Sequence, residues 1–262
     1  MILAIDAGNT NIVLGLIENG EIRSVAPRIA TDTDKTEYQY AVEIENILDF
    51  VGVDVTEAEG AILSSVVWPL TDTLRNAVKL LTGKDPLVVG AGIKTGLNIC
   101  IDDPGQVGAD LVVGAVAGLA IAKPPMILVD MGTATTLTVL DAKSRFLGGA
   151  IVPGLRLSMD ALAQGTSQLP RVSLEAPDKC IGSNTVTCMQ SGAIFGAAAM
   201  LDGMIQRMEE ELGQSAAVIA TGGLAGRVIP YCKKEIRYEP DLLLKGLALI
   251  WEKNRKDRGA KP

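Results

Sequence analysis

Short apolar runs and helical stripes alternate along this chain. Four mostly apolar runs have the length of strands buried on both faces of a sheet: 2–5, 12–17, 60–67 and 217–220. Three longer stretches repeat apolar residues at helical spacing, and a glycine that can end a helix follows each: 41–51, 70–81 and 194–212. We expect a last helix near 241–251. Strands that alternate with helices predict an α/β fold.

Two local signals fix boundaries in the first part of the chain. Asn19-Gly20 follows the second apolar run and predicts a tight hairpin turn. Thr36 and Gln39 stand three residues apart before the first helical stripe, which is the spacing of a capping box. The first helix is therefore expected to start directly after Thr36.

The opening of the chain recurs about half-way along it. Residues 2–11 and 126–136 share one design, an apolar strand, an Asp-x-Gly turn and a second strand. Asp6 and Asp130 are too far apart for a solenoid repeat, so the recurrence indicates a domain duplication. The expected organisation is one α/β half over 1–122, a second over 123–252 with a ligand held in a cleft between them, and a charged, frayed tail over 253–262.

Composition excludes several kinds of chemistry. The 262 residues include 24 Lys and Arg, 31 Asp and Glu, and no histidine. Catalytic triads that need imidazole and histidine-ligated zinc are therefore excluded, and proton transfer falls to other side chains. The acidic balance argues against a nucleic-acid partner, because basic surfaces supply most of that affinity.

The cysteines and the apolar runs favour a cytoplasmic protein with no membrane partner. Residues 111–122 form the longest apolar run, which is too short to span a bilayer. The first carboxylate, Asp6, comes too early for a signal peptide. The four cysteines show no framework spacing and are interpreted as buried free thiols: Cys100, Cys180, Cys188 and Cys232.

The two Asp-x-Gly turns suit a phosphate ligand. Glycine lets backbone N–H groups approach anionic oxygens closely, and Thr10 and Thr133 add hydroxyl groups. Because an aspartate repels phosphate, its useful role beside one is to hold a cation or the water shell of a cation. One such turn is a common structural feature, whereas two at equivalent places favour a nucleotide site.

Two further features leave alternatives open. Asp110 precedes an apolar segment, so it is either a helix N-cap or, in a chain without histidine, a general base for a substrate hydroxyl. Thr221-Gly222-Gly223 follows an apolar strand and is either a place for a nucleoside or an ordinary turn.

Seven motifs in order along the chain carry a resemblance: 6–10 (DAGNT), 94–98 (KTGLN), 108–110 (GAD), 130–136 (DMGTATT), 148–154 (GGAIVPG), 184–186 (NTV) and 220–223 (ATGG). Over residues 1–254 the chain closely resembles the type III pantothenate kinases, also named for the Bvg accessory factor. The resemblance implies the duplicated ribonuclease-H-like fold of actin, acetate kinase and sugar kinases, as a homodimer. It also implies phosphorylation of pantothenate by ATP, the first step of coenzyme A synthesis, with Mg²⁺ and a monovalent cation, K⁺ or NH₄⁺.

The resemblance also implies roles for individual residues. Thr133 would contact ATP, and the other ATP contacts would come from the first turn: Asp6, Ala7, Gly8, Asn9, Thr10, Asn11, Ile12 and Val13. Asp130 would ligate the monovalent cation, and Asp110 would be the general base on the pantothenate hydroxyl. The substrate site would be lined by Ile101, Gly108, Ala109, Asp110, Leu111 and Thr185.

Leu111 departs from the family pattern, in which an arginine of the pantothenate site follows Gly-x-Asp. Leucine cannot pair with a carboxylate, and one charge-assisted pair is worth about 1.5–3 kcal/mol. Three hypotheses follow. Another basic group such as Arg156 replaces the arginine in a pantothenate kinase; or a related kinase takes a hydroxyl substrate without that carboxylate, for example pantetheine; or the chain is a nucleotide-binding or regulatory paralogue without turnover.

Overall fold

The computed structural model describes residues 1–258, with side chains through 255. The chain forms two compact units. Unit 1 contains Met1–Leu97, Asp103–Ala117 and the chain from Asp241 onward, and unit 2 contains Asn98–Asp102 and Gly118–Pro240.

Twelve strands and seven α-helices lie in the described residues. The strands are β1 Ile2–Ala7, β2 Asn11–Glu18, β3 Glu21–Val25, β4 Ile29–Ala30, β5 Gly60–Ser65, β6 Leu87–Val88, β7 Asn98–Ile99, β8 Met126–Met131, β9 Ala134–Leu140, β10 Arg145–Pro153, β11 Ala217–Thr221 and β12 Arg237–Tyr238. The helices are α1 Glu37–Phe50, α2 Trp68–Thr82, α3 Ala109–Ile121, α4 Leu155–Gln164, α5 Thr185–Leu212, α6 Ala225–Val228 and α7 Leu242–Arg258.

The sheet of unit 1 has three largely buried strands, β1, β2 and β5, as their apolar sequences require. Its order is β3-β2-β1-β5-β6, with β1 to β3 antiparallel, β5 and β6 parallel to β1, and β4 beside β2. Alternate residues of β1 point to opposite faces. Leu3 and Ile5 lie in one core cluster with residues of α1 and α2, whereas Ile2 and Ala4 lie in another with residues of α3 and α7.

The sheet of unit 2 repeats this plan. Its order is β12-β11-β8-β9-β10-β7, in which β8 to β10 are antiparallel and β11 and β12 run parallel to β8. When the short strands β4 and β7 are left out of the numbering, each sheet has the order 3-2-1-4-5. This repeated order confirms the duplicated ribonuclease-H-like fold expected for the chain.

The grouping of the elements differs from the division predicted at residue 122. The short segment Asn98–Asp102, which carries β7, belongs to unit 2, and unit 2 then resumes at Gly118. Helix α7 belongs to unit 1, where its Leu244, Leu247 and Trp251 pack into the cluster on one face of that sheet. The predicted frayed tail begins inside this helix, which continues to Arg258 because its buried face continues past Glu252 to Asn254. Residues 259–262 of that predicted tail lie outside the described residues.

The local signals in the sequence have the expected outcome. Asn19 and Gly20 join β2 to β3 with φ of 53° and 82°. Both hydrogen bonds of the Thr36–Gln39 capping box are present at the start of α1. Gly83 ends α2 with φ of 69°.

Helix α5 has the length and apolar composition of a membrane span, alone among the helices of the described residues. Core helices of globular proteins meet the same criteria. Ala198, Leu201 and Ile205 are buried in the core of unit 2 with residues of β8 and β11. The packing of α5 is therefore that of a core helix.

The predicted burial of the cysteines is wrong. All four are free thiols, and Cys100, Cys180 and Cys188 are exposed, whereas Cys232 is half-buried. Cysteine is usually buried when it packs as a small apolar residue. Here Cys180 lies in a loop and Cys188 on the exposed side of the first turns of α5, which no sequence period revealed.

Candidate functional site

The Asp-x-Gly turn of unit 1 lies where β1 ends and β2 begins. Asp6 pairs with Val13 across the two antiparallel strands. The N–H of Gly8 donates to the carbonyl of Asn11 at 3.0 Å and closes the turn. Eight of the nine residues predicted to contact ATP, 6–13, are thus in one continuous strand-turn-strand segment.

Thr31 holds this turn from outside it. Its hydroxyl donates to the carbonyl of Gly8 at 2.6 Å, and its N–H donates to the carbonyl of Thr10 at 3.0 Å. The contact spans 23 residues of sequence. No local pattern revealed it, because β4, the strand that precedes Thr31, has only two residues.

Asp110 lies beside the same edge of the sheet in unit 1. Strands β1 and β5 are parallel, so their carboxyl ends meet at this edge. The N–H of Val66, just after β5, donates to the carbonyl of Ala7 at 3.1 Å. A Cβ placed on Gly108 would stand 3.7 Å from Cγ1 of Val66, which brings residues 108–110 next to the end of β1.

The structure corrects one of the alternatives for Asp110, because this residue is not a helix N-cap. Helix α3 begins at Ala109, and the first helical hydrogen bond runs from the N–H of Val112 to the carbonyl of Gly108 at 3.2 Å. Asp110 is therefore in the first turn, where its Oδ1 accepts from the N–H of Leu111 at 2.8 Å.

Burial changes the acidity of this carboxyl group. Desolvation raises the pKa of Asp110 above its ordinary value, and hydrogen bonds from backbone N–H groups only partly oppose the shift. A carboxylate with a raised pKa is a better proton acceptor, which is what a general base requires. Gly108 permits this packing, because a Cβ there would lie 2.4 Å from Oδ1 of Asp110.

Unit 2 builds its own turn around Asp130. Asp130 pairs with Thr136 of β9 on one side and with Thr221 of β11 on the other. The N–H of Gly132 donates to the carbonyl of Ala134 at 3.0 Å, which repeats the closure of the first turn.

Two glycines pack tightly against this second turn. The N–H of Gly154 donates to the carbonyl of Thr133 at 3.1 Å, and a Cβ at Gly154 would lie 2.2 Å from that oxygen. Gly222, at φ of 95°, lies against Asp130 and Met131. The sequence offered a weak signal for Gly222 in the Thr-Gly-Gly motif, and Gly154 was visible only as part of the resemblance.

Thr133, Ile101 and Thr185 also lie in unit 2. Thr133 is exposed in the turn that follows Asp130. Ile101 lies beside Gly148, where a bulge interrupts β10. A Cβ added to Gly148 would stand 3.6 Å from Cγ2 of Ile101. Thr185 is the first residue of α5 and is exposed, directly after Asn184, whose side chain caps the helix.

These groups suit phosphoryl transfer. Unit 1 places a glycine turn and a buried carboxylate at one edge of its sheet, and unit 2 places an oxygen-rich turn around Asp130. Among the described residues, no group of three or more acidic or cysteine side chains forms a metal site.

The model of the family described as type III pantothenate kinase matches residues 2–207. A relative from Moorella thermoacetica with the same description is 43% identical over 254 residues, covering 97% of this chain and all of the relative. The chain belongs to the type III pantothenate kinase family.

Solved structures share this fold. A Baf family protein from Campylobacter jejuni superposes with a TM-score of 0.62 at 17% identity, covering 97% of this chain and 99% of the other. A ROK family glucokinase from Streptomyces griseus, in complex with glucose and AMPPNP, has a TM-score of 0.52 at 14% identity, with 97% and 99% coverage. At these identities the likeness concerns the fold, which the type III kinase shares with sugar kinases.

Proposed function

We propose that this type III kinase transfers a phosphoryl group from ATP to the hydroxyl of pantothenate, giving 4'-phosphopantothenate, the first step of coenzyme A synthesis. The observation that carries the proposal is the position of Asp110. A carboxylate made more basic by burial lies at the same edge of unit 1 as the Asp6 turn. That combination supplies a base and a phosphate cradle, the two parts that phosphoryl transfer to an alcohol needs.

The ATP phosphates would lie on the turn between β1 and β2. Residues 6–13 would hold phosphates through backbone N–H groups, in a geometry that Thr31 keeps fixed. Thr133 would add a hydroxyl contact, as the family resemblance implies. Since catalysis of phosphoryl transfer depends largely on positioning, a first turn held in shape by Thr31 would contribute to the rate.

Asp110 would take the proton from the pantothenate hydroxyl. The freed oxygen then forms the new bond to the γ-phosphorus, the bond between that phosphorus and the bridging oxygen of ADP breaks, and ADP leaves with the electron pair. Gly108, Ala109 and Leu111 would lie beside the acceptor next to Asp110, and the family resemblance implies that Ile101 and Thr185 also contact it.

The oxygen donors of the site fit Mg²⁺ and a monovalent cation. Mg²⁺ is usually bound by one or two carboxylates together with substrate phosphates and water, rather than by an all-protein cage. The described residues fit this mode of binding, because they provide Asp6 at the first turn and contain no cluster of three or more acidic side chains. Asp130 would hold K⁺ or NH₄⁺. When bound, these cations supply neutralisation of the phosphate charge.

We further propose that the protein is cytoplasmic and works as a homodimer. Unit 2 exposes large apolar side chains that a subunit interface would cover, among them Ile151 at 73% and Ile181 at 89% exposure. Sedimentation at several protein concentrations tests this proposal. A monomer at micromolar concentration would contradict it.

Leu111 gives a reason to test a second acceptor. It is half-buried next to the base and carries no charge for the pantothenate carboxylate. ADP release should be measured with ATP, Mg²⁺ and K⁺, with pantothenate, with pantetheine and with neither, for the natural protein and for Leu111→Arg.

The pattern of turnover separates the candidates. Pantothenate-dependent turnover by the natural protein supports the proposal. Turnover with pantetheine but not with pantothenate assigns a different acceptor. If neither protein phosphorylates either alcohol, the result favours a nucleotide-binding paralogue.

A further inference from the structure

Ser64 carries a buried hydroxyl group that nothing in the fold uses. Its side chain is 0% exposed. Among the described residues, every other buried side-chain oxygen or nitrogen has a hydrogen-bond partner, whereas Ser64 Oγ has none. Its neighbour Ser65 differs, because Ser65 Oγ accepts from the N–H of Val67 at 3.2 Å and from the hydroxyl of Thr71 at 3.0 Å. Buried hydroxyl groups are nearly always satisfied, so Ser64 needs an explanation.

The register of the sheet places Ser64 beside Asp6. Strands β1 and β5 are parallel, and Asp6 and Ser64 are direct partners across them. Paired residues on neighbouring strands point to the same face, about 4.8 Å apart at the backbone. A serine hydroxyl and an aspartate carboxylate on that face are within reach of one hydrogen bond.

The face that they share is the one that α3 covers. Ala4 and Ile62, two residues before Asp6 and Ser64, lie in the core cluster that contains Val113 and Val116 of α3. Helix α3 carries Asp110 in its first turn. Ser64 therefore lies beside Asp6 on the face of the sheet that α3 and α7 cover.

A buried hydroxyl group without a partner destabilises the folded state. Alanine has nearly the same shape as serine and does not carry this cost. Core stability thus does not account for the serine. A hydroxyl group that makes no hydrogen bond in the ligand-free protein can donate to an acceptor that comes within reach when a ligand binds. Rotation about χ1 moves the serine hydroxyl between staggered positions without any change in the backbone.

We propose that Ser64 is a positioning residue, whose hydroxyl donates to the Asp6 carboxylate when the first turn holds nucleotide. The bond fixes the orientation of Asp6 toward the nucleotide and its cation. This inference rests on the proposed function of the turn. It predicts that Ser64 contributes to nucleotide binding and not to stability.

The test combines stability, binding and kinetics in four proteins: Ser64→Ala, Asp6→Asn, the double variant and Thr82→Val. Thr82→Val is the matched control, because it also removes a buried hydroxyl but one that is satisfied, by donating to the carbonyl of Val78 at 2.9 Å at the far end of α2. The measurements are the thermal midpoint, the calorimetric affinity for AMPPNP with Mg²⁺, and the KM for ATP against kcat with pantothenate.

Ser64→Ala should keep or raise the thermal midpoint, weaken AMPPNP binding about tenfold, as expected for one hydrogen bond to a charged group, and raise the KM for ATP more than it changes kcat. In the Asp6→Asn background the same change should have little further effect, because the two residues act as one unit. Thr82→Val should lower the midpoint and leave AMPPNP affinity unchanged.

Several results would overturn the inference: natural affinity in Ser64→Ala, the same tenfold loss in both backgrounds, or a loss of stability as large as that of Thr82→Val. These outcomes are distinct from failure of the proposed function. That failure would appear as AMPPNP binding without pantothenate turnover, or as no binding at all, in the natural protein itself.

Discussion

Gly222 lies in direct contact with Asp130. A Cβ added to Gly222 would stand 2.6 Å from Oδ1 of Asp130 and 2.7 Å from the backbone nitrogen of Met131. The φ of Gly222 is 95°, a conformation that other residues rarely adopt. The end of β11 therefore packs against the carboxylate that we propose as the monovalent cation ligand, and only glycine fits there.

Gly222→Ala should cost both stability and turnover. The added methyl group meets backbone and carboxylate atoms in a strained conformation, so we expect a loss of about 1–3 kcal/mol in unfolding free energy. The displaced Asp130 should also raise the K⁺ concentration needed for half-maximal turnover. Denaturant unfolding and a potassium titration measure the two effects.

Gly203→Ala is the control for that change. Gly203 is inside α5, and a Cβ there would meet nothing within 4 Å. Alanine is the better helix former, so this variant should gain about 0.5–1 kcal/mol and keep its K⁺ dependence. Equal behaviour of the two alanine variants would disprove the role given to the Gly222–Asp130 contact.

Asp110→Asn should remove turnover without removing the fold. Asparagine keeps the shape of the side chain and its acceptor for the N–H of Leu111, but it cannot take a proton. General-base catalysis contributes about 10²–10⁴-fold, and steady-state kcat should fall by that factor. Unchanged kcat would exclude Asp110 as the base.

The same variant gives a second prediction through stability. Because burial raises the pKa of Asp110, the folded protein holds this proton at pH values where the unfolded chain has lost it. The stabilisation is full below the unfolded pKa of about 3.9 and is lost as the pH rises through the folded pKa. The stability of Asp110→Asn should therefore increase relative to that of the natural protein as the pH rises from 4 to 7. Thermal unfolding of both proteins at each pH measures this. A difference in thermal midpoint that stays constant with pH would mean that the pKa of Asp110 is not raised.

Thr31→Val should loosen the turn that we propose to hold the ATP phosphates. Valine is nearly isosteric but removes the hydroxyl that donates to the carbonyl of Gly8. We expect a higher KM for ATP, about five- to tenfold, from the loss of roughly 1 kcal/mol of positioning. Steady-state kinetics at varied ATP measure it, and an unchanged KM would mean that Gly8 and Asn11 hold the turn by themselves.

Cys232 should be the least reactive thiol. Burial, helped by the charge of Asp202, raises the pKa of Cys232 to about 11. The thiolate is the nucleophile, so iodoacetamide at pH 8 should modify Cys100, Cys180 and Cys188 first. Peptide mass spectrometry after timed labelling measures the order, and early modification of Cys232 would contradict its burial.

Local signals explain why much of the fold was predictable. Gly83 and the Thr36–Gln39 box mark helix ends through interactions within one turn, so the sequence alone locates them. The repeated turn was recognisable because both copies place Asp-x-Gly directly after an apolar strand. The positions of the proposed site residues 6–13 and 130–133 at strand ends could be predicted for this reason.

Contacts between distant segments were not predictable. The partner of Asp6 on the next strand, Ser64, is set by the register of β1 with β5, and the bond from Thr31 to Gly8 crosses 23 residues. Helix α7 packs with α3 on the face of the unit 1 sheet opposite to α1 and α2, so its placement depends on how the other helices are arranged. A single sequence holds no pattern for these choices, whereas the packed structure determines them.

The central claim is that this chain phosphorylates pantothenate with Asp110 as the base. Mass spectrometry of the product, after incubation of the natural protein and of Asp110→Asn with ATP, Mg²⁺, K⁺ and pantothenate, tests it most directly. We expect 4'-phosphopantothenate to accumulate in step with ADP only in the natural protein. ADP without this product, or equal product from both proteins, would contradict the account.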